Sequence, residues 1–181
     1  MSIKSNVEYL ASLRTSTNSN EPILFSNGNW IPEETLQKLR EDFSSPTTEE
    51  EYRNRALLIV LTELGLLAKE IVSLRLSDIS KDPSKQFSIE FIGKCGKRKS
   101  APISEHCLKA VLEYHEKFEI DSDYFFVSRP GKSFKGRTNI STRALQYIVN
   151  SWNVRTISGK LIHPQSLRNT LGQRLLAGTP L

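Results

Sequence analysis

Apolar and polar positions follow two different periods along this chain, and the first clear stretch has the period of a helix. Leu36, Leu39 and Phe43 are spaced by 3 and 4 residues, which places them on one helical face. Pro32 suits the first turn, because the N–H that proline lacks would have no partner there. The Ser-Ser-Pro run at 44–46 stops the pattern. We therefore predict a first helix that opens near Pro32 and ends near Phe43.

The next helix is marked at both of its ends. Thr48 and Glu51 have the spacing of a capping box, in which each side chain satisfies a backbone N–H at the start of a helix. The run at 56–61 is apolar almost all round, which indicates a helix in the centre of the molecule. Gly65 suits the end of that helix. A second, short helix is predicted at 69–74.

The period then changes from that of a helix to that of a strand. Phe87, Ile89 and Phe91 alternate with polar residues, and 101–103 forms a return strand. The intervening run at 93–99 contains two glycines and four basic residues, so it predicts the basic turn of a hairpin.

Caps and apolar spacing predict three further helices, at 105–117, 141–152 and 164–176. Residues 77–79 are predicted as a turn, and 124–127 as a short strand or core segment. The predicted fold class is mainly α with a small antiparallel β-sheet.

Length and composition indicate one globular domain with a short arm. The chain has 181 residues, of which 38% are hydrophobic and 25% charged. Residues 1–29 are rich in Ser, Asn and Thr and are predicted as a flexible arm or linker, so the domain comprises 30–181. We see no apolar run of membrane-spanning length and no signal peptide. Cys95 and Cys107 are interpreted as reduced thiols of a cytoplasmic protein.

Charge is distributed unevenly between the two halves. Residues 1–90 contain 10 Lys/Arg and 14 Asp/Glu, whereas residues 91–181 contain 15 and 6. After Asp123 there are nine basic residues and no acidic one, and the segment from Ser128 to Arg137 is a basic, glycine-containing loop. Such a field attracts a polyanion, although a solvated basic face without any partner would have the same composition.

Three separated segments resemble, in order, the signature motifs of the tyrosine recombinases, the phage-integrase family. TELGLLAKEIVSLRLSDI at 62–79 resembles Thr-Gly-Leu-Arg-x-Ser-Glu-Leu followed by Leu-x-x-x-Asp-Ile. IGKCGKRKSAPI at 92–103 resembles the basic hairpin Gly-Lys-Gly-x-Lys-x-Arg-x-Val-Pro-Leu. IHPQSLRNT at 162–170 resembles His/Ser-Pro-His-x-Leu-Arg-His-Thr. The resemblance extends over about residues 30–181 and implies the fold of a recombinase catalytic domain.

The resemblance also implies a chemistry. In the family, a tyrosine attacks a DNA phosphodiester, two arginines hold the phosphate oxygens, a lysine protonates the leaving oxygen and histidines handle protons. On this mapping the lysine is Lys94 and the second arginine is Arg168. The first arginine position holds Leu67 and the histidine position holds Gln165, so two catalytic positions are degenerate. No tyrosine follows the last motif, because all five lie upstream of it.

The basic half of the chain and the resemblance together predict double-stranded DNA as the partner. The predicted DNA-binding residues are Lys97, Arg98, Lys99, Lys135, Arg137 and Arg143, expected on one positive face together with Lys94 and Arg168. Two interpretations of Arg168 remain open, a phosphate contact and a structural ion pair with Glu70. His163 is interpreted as a capping or surface residue rather than as a replacement for the lost histidine.

The sequence favours neither a metal nor a nucleotide cofactor. The histidines at 106, 115 and 163 are scattered, and no glycine-rich loop that could hold a phosphate opens a helix. We expect no cofactor.

Three functions remain open. The first is an integrase-family domain that binds DNA for recombination or integration but does not cleave DNA by itself. The second is a fragment of an active tyrosine recombinase whose nucleophile lies in a further segment or in another recombinase subunit. The third is a protein-interaction module that keeps only the scaffold. Salt-dependent DNA binding would separate the first two from the third.

Overall fold

The computed structural model describes residues 28–83, 86–93, 96–129 and 136–177. Most of the predicted arm, together with Lys94, Cys95 and Lys135, lies outside the described residues. The helices and strands, in chain order, are α1 (Glu33–Asp42), α2 (Glu49–Glu63), α3 (Ala68–Ile71), a 3-10 turn (Leu76–Asp78), β1 (Ile79–Lys81), β2 (Phe87–Ile92), β3 (Arg98–Ile103), α4 (Glu105–Lys117), α5 (Thr142–Ser151) and α6 (Pro164–Leu176).

The capping box predicted for α2 is present. The Glu51 N–H donates to Thr48 Oγ1 at 3.3 Å, and the Thr48 N–H donates to Glu51 Oε2 at 3.1 Å. Hydrogen bonds from the backbones of Thr47 and Thr48 lower the pKa of the Glu51 carboxyl to about 2. The hydroxyls of Ser104 and Ser141 start α4 and α5 in a similar way, because each accepts an N–H three residues later.

The sheet has three antiparallel strands in the order β1-β2-β3. The hairpin of β2 and β3 was predicted, but β1 was not, because the residues around it were expected to form only a turn. In β1, Ile79 lies opposite Ile89, and Phe87 and Ile103 are paired at the base of the hairpin. The mainly helical fold class with a small antiparallel sheet is confirmed.

The core surrounds α2. Residues Ala56 to Thr62 of this helix are buried almost completely, in agreement with its apolar character on all sides. Helix α4 packs along α2 with Tyr114 and the free thiol of Cys107 facing inward. The predicted segment at 124–127 is a core segment with single backbone bridges, and its Phe125 is fully buried.

The end of α2 lies very close to α6. Gly65, directly after α2, has φ +59°, and a Cβ added to it would lie 2.6 Å from Leu171 Cδ2. Any side chain at this position would meet an unfavourable backbone conformation and would require Leu171 to shift. The contact fixes the segment between α2 and α3 against α6. Helix α3 itself ends at Ile71, earlier than predicted.

Residues 28–31, which we call the N-terminal clasp, are held from two sides. The amides of Ser158 and Ile157 donate to the carbonyls of Gly28 and Trp30 at 2.9 and 3.0 Å. On the other side, the Ile31 N–H donates to Thr170 Oγ1 on α6 at 3.1 Å. The packed domain therefore includes residue 28.

Within the described ranges, no helix has both the length and the apolar character that a membrane span requires.

Candidate functional site

Leu67, which the motif mapping assigns to the first family arginine, lies immediately before α3. Its N–H donates to Glu70 Oε2 at 2.8 Å, so the Glu70 side chain completes the start of the short helix. The Leu67 side chain is 38% exposed. An apolar side chain thus lies at the surface where the family has a cation.

Arg168 lies on α6, one turn before Leu171, which contacts Gly65. Because Leu67 follows Gly65 by two residues, the Gly65 contact brings the segment of Leu67 alongside the part of α6 that bears Arg168. Arg168 is half-buried. Among the described residues its guanidinium has no hydrogen bond or ion pair, and the pairing with Glu70 that we considered is not found.

Gln165 and Asn169, which align with the two histidines of the family motif quoted above, carry amides that bind each other. Gln165 Nε2 donates to Asn169 Oδ1 at 3.0 Å along one turn of α6. Asn169 Nδ2 in turn donates to the backbone carbonyl of Asn29 at 3.0 Å. Amides do not titrate in the physiological range, so these groups can orient neighbours but cannot exchange protons with a substrate.

His163 begins α6 as its N-cap residue, in line with the capping interpretation, but its ring has a different role. The ring Nε2 lies 3.4 Å from Asn29 Nδ2, and the His163 N–H donates to Ser166 Oγ at 3.3 Å. Burial and the nearby charge of Lys160 lower the pKa of the imidazole. The neutral ring is therefore favoured and can accept a hydrogen bond from the Asn29 amide.

The basic residues of the hairpin do not share one face. Lys99 lies opposite Phe91 and Arg98 opposite Ile92, so their side chains alternate between the two sides of the ladder. Arg98 Nη1 is 3.3 Å from Glu90 Oε2, on the exposed side. The aliphatic chain of Lys99 lies against Gly93 on the other side. Lys97 is exposed at the start of the return strand.

Arg143 is exposed on the first turn of α5. Its guanidinium carbon lies 5.5 Å from the centre of the Tyr147 ring, and Nη2 donates to the Tyr147 hydroxyl at 3.1 Å. Helix α5 packs against both α3 and α6, so Arg143 belongs to the same part of the molecule as Leu67 and Arg168.

Arg137 is directed inward, which the sequence did not indicate. Its Nη2 donates to Glu49 Oε1 at 2.5 Å and its Nε to the carbonyl of Ser128 at 2.7 Å. The Tyr114 hydroxyl lies 3.4 Å from the same Glu49 oxygen. Burial raises the pKa of Tyr114 to about 12, with the charge of Arg137 opposing the shift and that of Glu49 supporting it. Only 18% of the Arg137 side chain is exposed.

The predicted basic residues are therefore divided into separate groups. The described ones that remain at the surface are Lys97, Arg98, Arg143 and, half-buried, Lys99 and Arg168. No signal in the sequence distinguishes Arg137 from these, because its carboxylate partner is 88 positions away. Within the described ranges, no group of three or more His, Cys, Asp or Glu side chains is arranged to hold a metal ion.

Solved structures identify the class of fold. The crystal structure of XerA recombinase superposes with a TM-score of 0.62 at 23% identity, over 91% of this chain and 53% of that one. XerH site-specific recombinase, bound to its difH substrate in a pre-cleavage complex, gives 0.59 at 19% identity, over 83% and 43%. At these identities the likeness shows the fold, which is that of the recombinases.

The family follows from the sequence comparison. The sequence model of the "Phage integrase family" matches residues 29–180. The chain therefore belongs to the phage integrase family, as its motifs suggested.

Curated relatives show the same affiliation. Tyrosine recombinase XerC of Staphylococcus epidermidis is 27% identical over 128 residues, which are 68% of this chain and 40% of that protein. XerC of Staphylococcus haemolyticus is 26% identical over 156 residues, 82% of this chain and 49% of that protein. The chain thus spans about half of the length of the curated relatives it matches, or less.

Proposed function

We propose that this chain is a DNA-binding domain of the integrase family that acts in DNA recombination or integration but does not cleave DNA by itself. Its partner is double-stranded DNA in the cytoplasm, together with other recombinase subunits. The observation that carries the proposal concerns Leu67 and Arg168, which lie on the two segments that meet where Gly65 contacts Leu171. Arg168 presents a guanidinium with no partner among the described residues, whereas Leu67 presents an apolar side chain at the surface.

This arrangement supports phosphate binding more than phosphate cleavage. One planar guanidinium can hold two phosphate oxygens, but charge developing in a transition state needs all of its donors in place. Losing one such donor typically costs about 3–4 kcal/mol of transition-state stabilisation. Gln165 and Asn169 add no group that could transfer a proton, because amides do not titrate in the physiological range.

The surface residues support binding without much sequence preference. Arg143, Lys97 and Arg98 are exposed and basic, and contacts of this kind to phosphates position a protein on DNA without reading its sequence. XerH, which shares the fold, was solved on its DNA substrate. The alternative of an active fragment is opposed by Leu67, since a further segment would not replace an internal arginine.

DNA binding is tested by measuring the affinity for a duplex as a function of salt. We expect non-specific dissociation constants near ~10⁻⁴–10⁻⁶ M and a decrease of log K with log salt of about 0.9 per phosphate contact. The double variant Lys97→Ala/Arg98→Ala should weaken binding to all sequences alike and reduce the slope by nearly two units, that is about 0.9 for each contact.

A matched control removes the same two kinds of charge elsewhere. Arg55 and Lys109 both pair with Glu113, at 3.2 and 3.7 Å. The variant Arg55→Ala/Lys109→Ala should leave the salt slope close to that of the parent chain. No binding at low ionic strength would favour the protein-interaction module instead.

The absence of cleavage is tested with a nicked suicide substrate, which traps a covalent protein–DNA adduct if one forms. We expect no adduct at protein concentrations that saturate the duplex. A covalent adduct with this chain would disprove the proposal and favour the active fragment.

A further inference from the structure

Two arginines flank the segment 130–135, and both reach the first turn of α2. Arg137 binds Glu49, and Arg129 Nη2 lies 3.6 Å from Glu50 Oε2. The two glutamates are adjacent in the chain. The two ion pairs nevertheless differ in their exposure, in their N–O distance and in whether a second arginine binds the same carboxylate. These differences determine which arginine is available to an external ligand.

Arg137 is bound on several sides by protein groups. Its guanidinium donates to the Glu49 carboxylate and to the carbonyl of Ser128, and the Tyr114 hydroxyl approaches the same carboxylate. The neighbouring backbone is also hydrogen-bonded, because the Ser128 N–H donates to the carbonyl of Thr138 at 2.7 Å. To reach a ligand, Arg137 would have to give up its bonds to both Glu49 and Ser128, and the Glu49 side chain, which is only 33% exposed, would lose its cation.

Arg129 is in the opposite situation. Its side chain is 81% exposed, and Glu50, its ion-pair partner among the described residues, is itself 52% exposed. Glu50 also accepts a hydrogen bond from the nearly buried Arg53 at 3.1 Å. An exposed pair at 3.6 Å, whose carboxylate has a closer cation, is weak and screened by salt. Arg129 can therefore exchange Glu50 for another anion while Glu50 remains paired with Arg53.

We propose that Arg129 binds a backbone phosphate of duplex DNA by this exchange, and that Arg137 is the internal anchor of the same region rather than a DNA contact. The inference rests on the proposed DNA-binding function and adds a contact to it. It reverses the assignment that the sequence suggested, in which Arg137 was a DNA-binding residue and Arg129 was not. A guanidinium suits this ligand because its planar donors match two phosphate oxygens.

The test compares salt dependence of duplex binding for Arg129→Gln, Arg137→Gln and Lys109→Gln. Each substitution removes one positive charge. We expect Arg129→Gln to reduce the salt slope by about 0.9, the value for one phosphate contact. Arg137→Gln should leave the slope unchanged and lower the melting temperature, and Lys109→Gln should change neither appreciably.

Glu50, the ion-pair partner of Arg129, supplies an independent test in which DNA binding should become tighter rather than weaker. Glu50→Gln removes the anion that competes with phosphate, so it should tighten DNA binding more than Glu116→Gln, which removes an exposed carboxylate on α4. In the Arg129→Gln background, Glu50→Gln should have no more effect than Glu116→Gln. The glutamine keeps an oxygen that can accept from Arg53, and Arg129 lies at the surface, so both variants are expected to fold.

The outcomes separate this inference from the function on which it rests. A loss of slope with Arg137→Gln but not with Arg129→Gln would overturn the inference and leave DNA binding intact. The same holds if Arg129→Gln behaves like Lys109→Gln. If the parent chain binds no duplex at low salt, the proposed function fails, and the inference fails with it.

Discussion

At the scale of single residues, Leu67 combines a backbone N–H that starts a helix with an apolar side chain, at a position that the motif mapping assigns to an arginine. The N–H of Leu67 begins α3 by donating to Glu70. The side chain is partly exposed, so a longer one can extend into solvent. Restoring the cation is therefore a test of charge at this position with little disturbance of the fold.

Leu67→Arg should strengthen DNA binding and steepen the salt slope by about 0.9, because it adds one cation beside Arg168. The free energy of unfolding should change by no more than about 0.5 kcal/mol, as is usual for surface substitutions. The variant should still form no covalent adduct on a suicide substrate. Leu112→Arg is the matched control, since Leu112 on α4 is 39% exposed and should give no change in slope.

His163 gives a second prediction, on pH. Its pKa is lowered in the folded state, so the folded chain binds fewer protons than the unfolded one near the ordinary histidine pKa of about 6.5. The contribution of His163 is therefore fully present above that pH and is lost as the pH falls through and below it. Urea unfolding at pH 7.5 and 5.5 should show a smaller difference for His163→Gln than for the parent chain.

The control for this pH effect is His106→Gln, which alters an exposed ring beside Glu63. It should not diminish the loss of stability between the two pH values. An equal loss in His163→Gln and the parent chain would contradict the assignment to His163.

Single residues were predictable to the extent that a motif fixed their position. Motif spacing predicts Arg168 as a retained arginine and Leu67 and Gln165 as replaced positions, and these assignments stay predictions. The inward direction of Arg137 was not predictable, because it depends on Glu49, which becomes a neighbour only after folding. Local patterns report spacing along the chain and do not report ion pairs between distant segments.

At the scale of secondary structure, most helices were predictable because their starts carry chemical signals. The capping box of α2, the serine caps of α4 and α5, and Pro164 at the start of α6 each satisfy or remove a backbone N–H. Strand β1 carries no such signal. It has three residues, none of them fully buried, and its pairing with β2 follows a loop whose geometry no local pattern fixes.

The junction of α2 and α6 leads to a prediction that separates two effects of glycine. Gly65→Ala should destabilise the fold both through its positive φ and through contact with Leu171. Gly159→Ala, where φ is +79° and no atom lies within 4 Å, carries only the conformational cost of about 1–2 kcal/mol. Chemical denaturation should therefore show the larger loss for Gly65→Ala. Equal losses would mean that Leu171 moves aside freely.

At the scale of the whole molecule, the N-terminal clasp joins the two ends of the described chain. Asn29 bonds with both Ser166 and Asn169 of α6, and Thr170 of the same helix accepts the Ile31 N–H. The packing therefore depends on contacts between residues more than 130 positions apart. The overall helical architecture was predictable from sequence, but this closure was not, because no local periodicity encodes it.

Thr170→Val tests the clasp. It leaves the buried Ile31 N–H without its acceptor, which should cost about 1–3 kcal/mol of unfolding free energy. Thr62→Val is the matched control, because Thr62 is equally buried but its hydroxyl donates only to carbonyls of its own helix. That substitution should be nearly neutral, since no donor loses its partner. Similar costs for the two variants in urea would mean that the Ile31 hydrogen bond adds no stability.

The clasp also has a mechanical consequence. Its hydrogen bonds to Ile157 and Ser158 lie on one side of the segment, and those to α6 lie on the other. A pulling force applied to the chain at residue 28 would act on these hydrogen bonds together, in shear, before the force reached α1. Part of that tension would be delivered directly to the helix that bears Arg168. Residue 28 is therefore a point at which force on the preceding chain would act on the position of the Arg168 guanidinium.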